Sequence, residues 1–78
     1  MYKQCRVETY SGGRLHERPL RFTWEEKWLE VEEVAAAWQE PGSYFFRVRA
    51  APGFFVLKYH QGRKAWEVRP LRQKEKSF

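Results

Sequence analysis

The residues best suited to chemistry in this sequence are cations and aromatic rings, interleaved in Tyr44–Tyr59 (YFFRVRAAPGFFVLKY). In an extended chain successive side chains point to opposite faces. Tyr44, Phe46, Val48 and Ala50 then share one face, and Phe45, Arg47 and Arg49 the other. Phe55, Leu57 and Tyr59 form an apolar set, opposite Phe54, Val56, Lys58 and His60. Adding Arg21 and Arg69, which have the outward parity of their own strands, gives a candidate nucleic-acid-binding set: Arg21, Phe45, Arg47, Arg49, Phe54, Lys58 and Arg69. Cations that meet phosphates beside rings that stack on bases are how small β-domains hold single strands. A second reading needs no ligand. Glu30 and Glu32 have outward parity on the strand expected to run beside Arg47 and Arg49. Opposite charges facing across strands contribute roughly 0.2–1 kcal/mol per pair. The free cations would then be mainly Arg21, Lys58 and Arg69.

Little else in the chain can carry a reaction. Cys5 is the lone cysteine, which excludes an intrachain disulfide and a cysteine-based zinc site. A single cysteine in a strand reads as a small buried hydrophobe rather than a nucleophile. His16 and His60 lie far apart without ligand partners at metal spacing and read as solvent-facing. The chain has no Asp or Asn, so calcium or magnesium loops lose their usual ligands and any acid–base pair would rest on Glu alone. Val7–Gly12 (VETYSG) could form a polar pocket from Glu8, Thr9 and Tyr10, or be a strand end with local hydrogen bonds. The reading is a protein that is not an enzyme and takes no cofactor or metal.

The elements that position these residues read as strands. Pro52 and Gly53 turn the chain between two aromatic, β-branched runs, so Tyr44–Tyr59 reads as a hairpin. Tyr2–Tyr10 reads as a short strand ended by Ser11-Gly12-Gly13, and Arg14–Pro19 as a connecting loop. Leu20–Trp24 and Trp28–Val34 suit a second hairpin across Glu25-Glu26-Lys27, and Ala65–Leu71 a last strand. With no Asn or Asp, the turns are expected to rest on Gly and Pro. One stretch is ambiguous. Val31, Val34, Ala35 and Trp38 are spaced like one face of a helix, so residues 33–38 suit either a strand with a bulge or a single helical turn that returns Trp38 to the core. Trp24, Trp28, Trp38 and Trp66 are expected mostly in the core; Trp28 differs in parity from Leu29 and Val31, and if outward it is a lid over the barrel end or part of a binding patch.

Size and charge set the limits. A chain of 78 residues is one domain with a small core, here rich in rings: 4 Trp, 4 Tyr and 6 Phe. No apolar run suits a membrane helix and the N-terminus lacks the apolar stretch of a signal peptide, so the expected place is a reducing cytoplasm. The net charge of +5 is unevenly spread: +3 over residues 1–21, −5 over 22–43 and +7 over 44–78. A basic balance suits nucleic acid as partner, while the acidic middle suits internal pairing.

Cys5-x-Val7-Glu8-Thr9-Tyr10-Ser11-Gly12, Glu17-Arg18-Pro19-x-Arg21-Phe22, Glu30-Val31-Glu32-Glu33-Val34 with Trp38, and Tyr44-Phe45-x-x-Val48 together resemble a family of short, uncharacterised bacterial proteins. The resemblance covers about residues 5–69. More distantly, the middle and end resemble a segment near the C-terminus of ImuB-type, Y-family-polymerase-like proteins. The resemblance implies a small β-rich domain and no particular activity. The chain departs from the pattern at Leu20 and at Ala35 to Ala37, where more polar residues are usual.

The expected fold is all-β: five to six short antiparallel strands in a small twisted open barrel, SH3-like or OB-like, over residues 1–71, with a flexible C-terminal tail at 72–78. The expected function is a non-enzymatic binding module for single-stranded or duplex nucleic acid. The alternative is a protein–protein adaptor using an exposed strand edge or the Trp28 surface.

Overall fold

The computed structural model describes residues 1–10 and 18–71. The expected tail at 72–78, the Ser11-Gly12-Gly13 turn, His16 and most of the Arg14–Pro19 loop lie outside the described residues.

Alternation of apolar and polar side chains produces strands throughout. They are β1 (Lys3–Cys5), β2 (Val7–Thr9), β3 (Pro19–Trp24), β4 (Lys27–Glu30), β5 (Glu33–Glu40), β6 (Ser43–Ala50), β7 (Gly53–His60) and β8 (Ala65–Pro70). They form two antiparallel sheets, a five-stranded one in the order β1-β8-β7-β6-β5 and a three-stranded one in the order β2-β3-β4. The eight segments exceed the expected five or six because two stretches bend from one sheet into the other. At the first corner Arg6 parts β1 from β2, and its backbone exchanges hydrogen bonds with Thr23: Thr23 N–H donates to the Arg6 carbonyl and Arg6 N–H to Thr23 Oγ1, both 3.0 Å. At the second, Val31 N–H donates to the Leu20 carbonyl on β3 (2.8 Å), and the next residue, Glu32, donates to the Arg49 carbonyl on β6 (2.7 Å). Strands that switch sheets at corners wrap two sheets around one core, a small β-barrel-like fold.

The core draws on both sheets. Phe22, Phe46, Val48, Ala50, Phe55, Leu57 and Val68 form its buried centre, with Cys5, Val7, Trp24, Leu29 and Trp66 among the residues packed against it. Phe22 from the three-stranded sheet meets Phe55 from the five-stranded sheet edge to face, ring centroids 5.1 Å apart. Such aromatic pairs contribute about 0.5–1.5 kcal/mol beyond their burial.

The central hairpin forms as expected, with Tyr44 opposite Tyr59, Phe45 opposite Lys58 and Arg49 opposite Phe54. Residues 33–38 are strand rather than helical turn: β5 pairs with β6 over its length, with a bulge between Val34 and Ala36. The extra residue, Ala35, inverts the parity of the rest of the strand. Val34 packs against the core, whereas Trp38 lies opposite Phe45 on the outer face and is 41% exposed. The expectation that Trp38 returns to the core fails for that reason.

The expectation that turns rest on Gly and Pro holds between β5 and β6 and fails between β3 and β4. Pro41-Gly42 makes the tight β5–β6 turn, with Gly42 at φ +83°. The β3–β4 turn instead uses Glu25 and Glu26, both left-handed at φ +51° and +68°. Two positive φ values give the twist that a two-residue hairpin needs. Glutamate adopts them at a cost that Asn or Gly largely avoids.

Candidate nucleic-acid interface

The register of the five-stranded sheet brings cations and rings together on its outer face. Trp38, Phe45 and Lys58 stand side by side on β5, β6 and β7. Trp38 is stacked on Phe45, ring centroids 5.2 Å apart and planes within 1° of parallel. Lys58 Nζ lies over Phe45 on its other side, 5.5 Å from the ring centroid, and 5.3 Å from that of Tyr2. The Arg69 guanidinium lies 5.7 Å from the Tyr2 ring. The result is a connected line of rings and cations: Trp38, Phe45, Lys58, Tyr2, Arg69. Each cation–ring contact is worth about 0.5–1 kcal/mol at exposed sites. These contacts fix side chains that would otherwise sample many rotamers.

Arg47 stands beside this line, in the neighbouring row with Val56 and Ala36. It is exposed and has no ion-pair partner among the described residues. An alanine, Ala36, stands opposite it on β5, and Glu30 stays with Arg21 on the three-stranded sheet.

The other predicted cations are neutralised in place. Arg49 donates to Glu32 Oε1 (3.2 Å) and Glu33 Oε1 (3.4 Å). Arg21 lies on the three-stranded sheet, in one cross-strand row with Glu8 and Glu30. Its Nε is 3.5 Å from Glu8 Oε1 and 3.4 Å from Glu30 Oε2. These are ion-pair distances without hydrogen-bond geometry, so the pairing is electrostatic. The internal pairing read from the sequence thus holds for Glu32 with Arg49. Glu30 meets Arg21 instead of Arg47, which exchanges the roles of those two arginines.

The predicted rings also change roles. Phe45 is on the outer face but only 7% exposed, because Trp38 and Lys58 cover it. Phe54 is half-buried beside Arg49 at the end of the sheet. Open ring surface comes from Trp38 and, in part, from Tyr2, neither of which belongs to the set expected from the sequence. The signal for Trp38 is the Pro41-Gly42 turn: counting back from it with Glu40 opposite Ser43 puts Trp38 opposite Phe45.

One acid lies within the field. Glu67 is opposite Lys58 and holds His60, with His60 Nε2 3.0 Å from Glu67 Oε1. His60 is therefore part-buried and partnered, not solvent-facing as expected. Cys5 packs against the core, and burial, with the Glu67 carboxylate adding to it, pushes its thiol from 9.0 up to about 12. It stays protonated near neutral pH, and the thiolate is the nucleophilic form. Among the described residues no cluster of three or more His, Cys or Glu is placed to hold a metal ion, and no helix is long and apolar enough to cross a membrane.

Comparisons of the chain with protein-family models, with curated proteins and with solved structures find no match.

Proposed function

We propose that this protein is a non-enzymatic binding module that holds single-stranded nucleic acid on the outer face of its five-stranded sheet, in a reducing cytoplasm. One observation carries the reading: Trp38 presents an open ring in the same row as Lys58, with Arg47 and Arg69 together in the row beside it. Bases stack on exposed rings with little regard to sequence, and each such stack is worth about 1–3 kcal/mol. Arg47, Lys58 and Arg69 are the cations for the phosphates. Arg49 and Arg21 contribute less, since carboxylates already hold them. The distant resemblance to polymerase-like proteins points the same way.

The test is equilibrium titration of dye-labelled oligothymidine, oligouridine and a DNA duplex at low salt. Both single strands are expected to bind more tightly than the duplex, which offers no unstacked base to Trp38. The double substitution Arg47→Glu/Lys58→Glu is expected to abolish binding while the fold persists by circular dichroism. Binding that survives the charge reversal unchanged sinks the proposal, as does a preference for the duplex.

A further inference from the structure

Strand β5 is the outermost strand of the five-stranded sheet. β6 pairs with one side of it, and among the described residues no strand pairs with the other. It runs for eight residues, Glu33–Glu40, with charge only at its ends and Val-Ala-Ala-Ala-Trp-Gln between. Natural sheets blunt such edges with lysine, proline or short length. This strand has neither residue, is among the longest in the fold, and beyond its one bulge at Ala35 keeps regular pairing over Ala36–Glu40.

Two hollows border the same strand. The first, about 350 Å³, opens in the wedge where the chain leaves β3 after Val31 and turns towards β6. Pro19, Leu20, Val31 and Val34 give it apolar walls, with Arg18, Glu32 and Glu33 also lining it. Leu20 is 39% exposed there, although its parity is that of buried Phe22. The second hollow, about 240 Å³, lies at the other end of β5 against Ala37, Gln39, Tyr44 and Phe46, beside the stacked Trp38 and Phe45. Ala37 stands opposite Phe46, and its small side chain leaves that space open. An unpaired edge supplies main-chain hydrogen bonds and flanking hollows supply side-chain specificity, which is the physical basis of recognition by strand addition.

We propose that the free edge of β5 docks an extended peptide segment of another protein as an added strand. Two apolar side chains about four residues apart, on the order of 13 Å at the rise of a strand, sit in the two hollows. A lysine or arginine of the peptide lies beside Glu40, which has no ion-pair partner among the described residues. A second copy of this chain is disfavoured by charge. Antiparallel pairing of two β5 strands sets Glu33 against Glu40, and parallel pairing sets each acid beside its own copy; like charges across strands are destabilising. This docking uses the strand edge rather than the outer face, so it stands independently of the nucleic-acid reading.

The probe is an acetylated, amidated peptide Lys-Thr-Leu-Thr-Val-Thr-Phe-Thr-Lys, titrated into the isotope-labelled protein and followed by amide chemical shift and hydrogen exchange. Shifts and slowed exchange are expected along Ala35–Gln39, with further shifts at Leu20 and Val34. N-methylation of alternate peptide amides, which removes main-chain donors but keeps the side chains, is expected to weaken binding about tenfold or more. Glu40→Lys is expected to weaken this peptide severalfold and to leave a lysine-free analogue unchanged. Equal binding of the N-methylated peptide overturns the proposal. So does an absence of β5 shifts at large peptide excess. Protection of β5 that grows with concentration in the free protein also overturns it, by assigning the edge to a second copy.

Discussion

The Trp38 indole lies flat on the Phe45 ring, 5.2 Å between centroids and 1° between planes. This stack converts Phe45 from a surface ring into a buried floor and leaves Trp38 as the open aromatic surface of the sheet. The pair therefore has two roles, one in stability and one in stacking on a base.

Trp38→Ala separates those roles. Loss of the stack should cost about 0.5–1.5 kcal/mol, read as a melting temperature lower by about 2–12 °C for a domain of this size. Single-strand affinity should fall by about five- to a hundredfold, the equivalent of one base–ring stack. Trp38→Phe should recover most of both. An unchanged affinity in Trp38→Ala would remove the ring from the binding surface.

Arg47 and Arg49 are neighbours on β6 that should respond differently. Arg47 faces Ala36 and solvent; Arg49 faces Glu33 and also holds Glu32. Arg47→Ala should weaken single-strand binding and flatten its salt dependence by about 0.7 in log–log slope, the share of one phosphate contact. Arg49→Ala should leave that slope nearly unchanged and alter stability by no more than about 1 kcal/mol, as for exposed ion pairs. Isothermal titration and thermal melting of both variants check this directly.

These contrasts mark where the sequence was legible. The alternation in Tyr44–Tyr59 is uninterrupted, so the β6–β7 hairpin and its two faces can be read from it. The β5 strand is harder because one extra residue, Ala35, shifts its parity and makes Val31, Val34, Ala35 and Trp38 mimic a helical period. That slip hides Trp38 from the candidate site, while Arg47 misses its expected glutamates because Glu30 stays paired with Arg21 and Glu32 meets Arg49. The sheet-switching corner at Arg6 carries no local signal, because the alternation of Cys5 and Val7 continues through it while only the pairing partner changes; at Val31–Glu32 the alternation breaks, with Glu32 and Glu33 both exposed between Val31 and Val34. Tyr2 joins the site through that same long-range pairing: β1 lies beside β8, and this brings the ring to Lys58 and Arg69.

The Glu25-Glu26 turn stores removable strain. Both residues adopt left-handed φ with no glycine or asparagine to ease it. Glu25→Asn/Glu26→Gly should stabilise the protein by about 1 kcal/mol or more, without changing the β3–β4 register. Urea unfolding would show a higher midpoint at unchanged slope. A lower midpoint would mean that the glutamates make compensating contacts.

Cys5 gives a pH prediction. Its thiol is raised to about 12 in the folded protein, chiefly by burial and further by Glu67, against 9.0 ordinarily. A raised folded pKa means that the associated stability is complete below about pH 9, where both states hold the proton. It is lost progressively as pH rises through about 12, because the unfolded chain ionises first. Stability should therefore decline above pH 9, and Cys5→Ser should reduce that decline. At pH 8 the native thiol should react slowly with an aromatic disulfide reagent and rapidly after unfolding in guanidinium. Fast native reaction would place the thiol in solvent.

The most direct measurement of the central claim is the salt dependence of single-strand binding. Three available cations, Arg47, Lys58 and Arg69, imply a slope of log affinity against log salt near −2, at about 0.7 per contact. A fourfold rise in salt should then weaken binding on the order of tenfold. In Arg47→Glu/Lys58→Glu the binding should vanish at every salt concentration. Binding by the unaltered protein that is indifferent to salt, or absent even at low salt, would contradict the assignment of the outer sheet face to nucleic acid.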